Sequence, residues 1–152
     1  MIVRDARNDE LAVLATKCAE QPLLRRYGTS AEKLTRFLER AIDRGDPLLV
    51  VEDEGVPAGF AWFHTGGTFA NGGYLRLIAL APSHEGRGLG AALLDELERR
   101  VARESPHLFL LVSDFNQAAR RFYARRGYRE VGRLPGFVLA DVDEIICWKK
   151  LK

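Results

Sequence analysis

Leu89, Leu93, Leu97 and Val101 recur at every fourth position, with Leu94 beside them. That spacing predicts an amphipathic helix over residues 89–104, stopping short of Pro106. A second stripe, Leu34, Phe37, Leu38, Ala41 and Ile42, predicts a helix within residues 29–45. Thr29 and Glu32 supply its capping box, and Gly45 sits where it should end. Leu11, Leu14, Ala15 and Cys18 predict a shorter helix, with Asn8 and Asp9 as caps. "NQAARRFYARRG", residues 116–127, predicts a fourth, capped by Asn116 and closed by Gly127.

The intervening segments follow the strand pattern. Ile2 and Val3 mark a short strand in residues 1–6. Residues 48–51 and 56–64 form the arms of a hairpin that turns over 53–55. Residues 66–73, "GGTFANGG", read as a glycine-rich loop. Residues 74–81 form a strand ending at Pro82, and the apolar run 108–113 predicts a central strand covered on both faces. Residues 128–134 and 143–151 close the chain as strands. The order β, α, α, β, β, β, α, β, α, β, β predicts an α/β (α+β) fold with about seven strands in a mixed sheet and helices on both faces. No repeat, linker or low-complexity stretch divides the chain, so residues 1–152 are expected to form a single domain.

Composition narrows the functional classes. Of the 152 residues, 47% are hydrophobic and 29% charged, an ordinary globular balance. Lys and Arg number 23 against 21 Asp and Glu, for a net charge of +2, which argues against a nucleic-acid partner. No apolar run approaches the ~20 residues of a membrane span, so no membrane partner is expected. The opening "MIVRDARNDELAVLATKCAE" mixes acids among its apolar residues and does not read as a signal peptide. Cys18 and Cys147 lack metal-ligand spacing and fit reduced, buried thiols in the cytoplasm; no metal is expected.

"SHEGRGLGAALL", residues 83–94, places Gly86, Gly88 and Gly90 directly ahead of the leucine stripe. A helix start presents N–H groups without intrahelical partners and a partial positive charge. Missing side chains let a phosphate close on them. The stretch therefore reads as a pyrophosphate cradle, with Arg87 adding a charge-assisted contact, or as a tight turn that needs positive φ. A Walker loop would end in Gly-Lys-Ser/Thr, which is absent. A dinucleotide fingerprint would follow the first strand of a Rossmann unit, which this turn does not.

A second constellation follows: Asn116, Ala119, Phe122, Tyr123, Gly127 and Tyr128 in "NQAARRFYARRGY". Together the two resemble the GNAT superfamily of acyl-coenzyme A-dependent N-acetyltransferases. The loop pattern Gln/Arg-x-x-Gly-x-Gly/Ala is met at the glycines of 85–90 and broken at Glu85. The later pattern, Asn-x-x-Ala-x-x-Phe/Leu-Tyr-x-x-x-Gly-Phe/Tyr, is met throughout, and the element order matches from end to end.

The resemblance implies a GNAT-like, mostly antiparallel sheet with a splayed pair of parallel strands, 74–81 and 108–113. It implies acetyl-CoA as cosubstrate and a primary amine of a small molecule, amino acid or peptide as acceptor, attacking directly through a tetrahedral intermediate. Leu80 and Ala81 would offer main-chain groups to the pantetheine arm, including a donor to the thioester carbonyl. Glu85, Gly86, Arg87, Gly88, Leu89, Gly90 and Ala91 would hold the pyrophosphate, with the Glu85 side chain turned to solvent. Asn116, Ala119 and Tyr123 would line the cofactor, and Tyr123 would be the general acid. Asn116 also fits a helix cap, and Tyr123 a packed aromatic beside Phe122. Arg120, Arg121, Arg125 and Arg126 fit either a 3′-phosphate partner or a solvated helix face. No general base stands out; His84, Glu85 and Asp114 are candidates, beside a water relay or a neutral amine. Arg25, Arg26 and Tyr27, and Asp141, Asp143 and Glu144, are candidate acceptor contacts. The alternative function is a non-catalytic acyl-CoA-binding or sensing module, suggested by Glu85 and the absence of a strand carboxylate. A homodimer is left open.

Overall fold

Ile2 pairs with Glu52 and Asp5 with Leu49, so the first strand of the chain lies antiparallel to one drawn from its middle. The computed structural model describes every residue from Met1 to Lys152. Its strands are β1 (Ile2–Asp5), β2 (Leu48–Asp53), β3 (Val56–Thr68), β4 (Gly72–Leu80), β5 (His107–Ser113), β6 (Arg129–Leu134) and β7 (Glu144–Lys150). Its helices are α1 (Leu11–Cys18), α2 (Pro22–Arg26), α3 (Ala31–Asp43), α4 (Leu89–Val101) and α5 (Gln117–Arg125). The seven strands form one mixed sheet in the order β1-β2-β3-β4-β5-β7-β6. β4 and β5 are parallel, Gly72–Leu75 against His107–Leu110, while β1–β2, β2–β3, β5–β7 and β6–β7 are antiparallel. Both parallel strands run on beyond that ladder, to Leu80 and to Ser113.

Several local expectations change. The glycine-rich segment is not a long loop. β3 continues to Thr68 and β4 starts at Gly72, leaving a short turn in which Phe69 and Ala70 take positive φ. The ladder overrides the weak strand propensity of glycine. α3 is capped by Ser30, whose hydroxyl accepts from the Lys33 N–H, rather than by Thr29. Asn8 and Asp9 enter a 3₁₀ turn, and the Glu10 carboxylate accepts from the Arg7 N–H at 2.7 Å. α2, a five-residue helix opened by Pro22, carries too few apolar positions to show a period. α4 ends at Val101, three residues early.

Contacts divide the chain into two compact units, Met1–His64 with Leu77–Arg99, and Thr65–Arg76 with Arg100–Lys152. In the first, Leu11, Leu14, Ala15 and Cys18 of α1 and Leu34, Leu38 and Ala41 of α3 pack with Leu48, Val50, Phe60 and Trp62 of the sheet. Phe37 points away from this core and stays exposed, so the α3 stripe is narrower than its sequence suggests. Leu49, Val51, Ala61 and Phe63, on the alternate face of β2 and β3, are fully buried as well, as are the leucines of α4. In the second unit, Leu108, Leu110 and Val112 are buried while Phe109 and Leu111 are only partly covered. β5 is thus closed on one face and half open on the other, not covered on both as its apolar run predicts.

Candidate active site

The first unit holds the corner that carries the glycines. β4 ends at Leu80, a 3₁₀ turn spans Pro82–His84, and α4 begins at Leu89. The Ala81 N–H donates to the Ala58 carbonyl at 2.8 Å, so one of the main-chain groups expected to face the cofactor is committed to β3. Gly86 and Gly88 have φ of +76° and +80°, which a side chain would strain. A Cβ built on either meets no atom within 4 Å. The tight-turn reading of these glycines holds, since the turn needs positive φ, and the space above it is open. The first α-helical bond runs from the Ala92 N–H to the Gly88 carbonyl. The N–H groups of Leu89, Gly90 and Ala91 precede it and have no intrahelical acceptor. The corner meets the needs of a pyrophosphate: open approach, backbone donors and the positive end of a 13-residue helix.

Two side chains tie this corner down, and sequence reasoning found neither. Gln21, between α1 and α2, donates from Nε2 to the Leu80 carbonyl at 2.8 Å and to the Glu85 carboxylate. Glu85 is exposed but not idle: its side chain is held, contrary to the expectation that it simply points into solvent. Asp53, at the end of β2, accepts from Arg87 Nη1 at 2.7 Å. The guanidinium that the sequence assigned to phosphate thus has a carboxylate partner. Gln21 lies 64 positions from Glu85, and Asp53 lies 34 from Arg87. No periodicity or motif links residues so far apart; the start of a helix at Pro22 was the only local clue at Gln21.

The second unit holds the other motif. The Asn116 Oδ1 accepts from the Ala119 N–H at 3.1 Å, capping α5. Ala119 and Tyr123 follow Asn116 on one helical face. The Tyr123 ring is buried, edge-on to Phe122 at 5.3 Å and to Tyr128 at 5.5 Å. Burial, reinforced by nearby Cys147, holds its phenol well above the usual range, so the hydroxyl stays protonated at neutral pH. Arg120 forms two hydrogen bonds of 2.8 Å with the Glu130 carboxylate and a third to the Asp114 carbonyl. Arg126 lies over the Phe122 ring at 6.0 Å, while Arg121 and Arg125 are exposed.

The candidate bases are mostly occupied. Asp114 accepts from the Asp143 N–H and lies 3.7 Å from Arg133. The His84 Nδ1 is 2.9 Å from the Ser83 hydroxyl. Among the candidate acceptor acids, Asp143 bonds Arg133 at 3.0 Å and the Gly136 N–H at 3.1 Å, contacts that hold its carboxyl below the usual range. Glu144 is buried, and Asp141 is exposed. Arg25 and Arg26 are exposed on α2, with Tyr27 partly covered. Both cysteines are free and buried, which pushes the Cys18 thiol up to about 12 and the Cys147 thiol up to about 11. No helix is long and apolar enough to cross a membrane.

A family model described as "Acetyltransferase (GNAT) family" matches residues 10–128. A curated relative, the L-methionine sulfoximine/L-methionine sulfone acetyltransferase of Salmonella typhimurium, is 30% identical over 94 residues. The match takes in 60% of this chain and 55% of that protein, so the chain spans about half the length of the relative it matches. An N-acetyltransferase from Staphylococcus aureus Mu50 has a similar fold, with a TM-score of 0.80 at 20% identity, covering 99% of this chain and 98% of the other. An aminoglycoside 6'-N-acetyltransferase complexed with coenzyme A is similar too, with a TM-score of 0.79 at 19% identity over 100% and 98% of the two chains.

Proposed function

This chain belongs to the acetyltransferase (GNAT) family and is an acyltransferase, and on that premise we propose that it moves an acetyl group from acetyl-CoA to a primary amine of a small molecule, amino acid or peptide. All 152 residues serve as one N-acetyltransferase domain. The observation that carries the reading is the open glycine corner at the start of α4, where Gly86 and Gly88 leave the helix end uncovered. A fold neighbour complexed with coenzyme A supports the choice of cosubstrate.

The residues that would hold the cosubstrate are the backbone of Gly86–Ala91 for the pyrophosphate, and Leu80, Asn116 and Ala119 for the pantetheine arm. When bound, acetyl-CoA supplies an activated thioester. The acceptor amine attacks it directly, through a tetrahedral intermediate, with no acyl-enzyme. Support for direct attack comes from the thiols: Cys18 and Cys147 are buried and held protonated, the reverse of an activated nucleophile. Tyr123 acts as the proton donor to the leaving sulfur; a phenol kept neutral by burial is ready to donate. Asp114 and Glu85, each engaged by other groups, are not assigned as bases, and the amine arrives neutral or loses its proton to water. The acceptor is taken to be amino-acid-like, which the activity of the Salmonella relative and the exposed Arg25 and Arg26 favour.

The test is release of free thiol from acetyl-CoA across a panel of amines, with amino acids and their sulfoximine and sulfone analogues among them. Turnover with at least one amine supports the reading. Tight binding of acetyl-CoA with no thiol release for any acceptor would favour the sensing alternative. That alternative is suggested by Glu85 and the absence of a strand carboxylate; the Glu85 carboxylate accepts from Gln21.

A further inference from the structure

Glu85 puts a carboxylate at the mouth of a corner read as a phosphate site, and Gln21 is the side chain that meets it. The backbone of Gln21 is already spent. Its N–H donates to the Cys18 carbonyl at 3.1 Å and its carbonyl accepts from the Arg25 N–H at 3.2 Å. Pro22 follows and sets the start of α2. The side chain is thus held between two helices and aimed at the corner. Both groups it meets, the Leu80 carbonyl and the Glu85 carboxylate, only accept hydrogen bonds. The amide must therefore present its NH₂ end, and one nitrogen supplies a proton to each. Leu80 and Glu85 mark the two ends of the turn that delivers Gly86 and Gly88 to α4.

We propose that Gln21 is a positioning residue that holds the Glu85 carboxylate off the open face of the glycine corner, so that a side chain of the wrong sign for a phosphate does not oppose one. The proposal rests on the reading of that corner as the pyrophosphate site of acetyl-CoA. A carboxylate loose beside an anion repels it through water, and the repulsion is screened by salt beyond ~10 Å at 0.1 M. A carboxylate fixed by an amide donor keeps its charge but loses the freedom to swing toward the ligand. Glu85 is then compatible with anion binding only while Gln21 holds it.

The test is calorimetric titration with acetyl-CoA at low and high ionic strength, together with thermal unfolding. The proteins are the wild type, Gln21→Ala, Glu85→Gln and the double variant. Gln21→Ala should bind about tenfold more weakly at low salt, with the loss shrinking as salt rises. Glu85→Gln should bind no more weakly than wild type. The double variant should return to within about threefold of wild type, because no charge remains to be held. A purely structural Gln21 gives a different pattern: the loss persists in the double variant and ignores salt, since the Leu80 bond is still missing. That pattern, or unchanged binding by Gln21→Ala, overturns the proposal while leaving the phosphate reading intact. Failure of the wild type to bind acetyl-CoA overturns the phosphate reading itself. If Gln21→Ala does not fold, Gln21→Glu serves in its place. It keeps the size and sets a second carboxylate beside Glu85, so its weaker binding should recover in acid and on adding Glu85→Gln.

Discussion

The Arg87 guanidinium meets the Asp53 carboxylate with 2.7 Å between Nη1 and Oδ2, bracing the glycine corner against the end of β2. Arg87 is half exposed while Asp53 is mostly covered, so the pair is a partly solvated one, of the kind that contributes about 0–1 kcal/mol. Arg87→Ala and Asp53→Ala should each weaken acetyl-CoA binding by no more than about fivefold, and the double variant should be no worse than either alone. Titration calorimetry on the four proteins checks this. A much larger loss for Arg87→Ala than for Asp53→Ala would show that Arg87 leaves its carboxylate for the phosphate.

Gly88 has φ of +80° and open space above it. Gly88→Asp forces a side chain into a strained conformation and adds a negative charge at the helix start, where the dipole favours the phosphate. Acetyl-CoA affinity should fall at least tenfold, about 1.4 kcal/mol, with the thermal transition still cooperative. Equal affinity for variant and wild type would rule out the corner as the pyrophosphate site.

Tyr123 combines a buried ring with a phenol kept protonated. Tyr123→Phe retains the packing on Phe122 and Tyr128 and removes only the hydroxyl. A positioned proton donor typically contributes about 10²–10⁴-fold to the rate, so kcat should drop within that range while the acetyl-CoA Kd stays near wild type. If single-turnover rates match the wild type, the ring alone matters.

Acid sensitivity should centre on Glu10. Its carboxylate accepts from Arg4 at 2.7 and 2.8 Å and from the Arg7 N–H, and these bonds hold its pKa below the ordinary 4.5. A folded-state pKa below the unfolded one means that the unfolded chain takes up the proton first. The stabilisation is complete well above pH 4.5 and is lost as pH falls through the folded-state value. Glu10→Gln should lower the thermal midpoint at neutral pH and flatten the decline in stability below pH 4.5. Thermal melts of both proteins across pH 3–7 measure both effects; an unchanged slope would show that other carboxylates dominate.

How much of this was legible in the chain depends on how far apart the interacting residues lie. The leucines of α4, the caps at Asn116 and Gly127, and the glycines at 86 and 88 act on neighbours within a turn or two, so spacing reveals them. The seven strands and their order of appearance were readable for the same reason, because alternation and turn residues are local. The tertiary structure decided what those local patterns met. It set β4 beside β5 in a short parallel ladder, left one face of β5 half open, and drew Thr65–Thr68 into β3 where glycine propensity argued for a loop. It also decided the fate of the charges. Glu85 and Arg87 look like an obstacle and a ligand contact in the sequence, yet each is taken up by a residue 64 or 34 positions away. A side chain's charge can be read from one letter, but the partner that fixes its direction is chosen by the fold, because hydrogen bonds form between groups that are close in space.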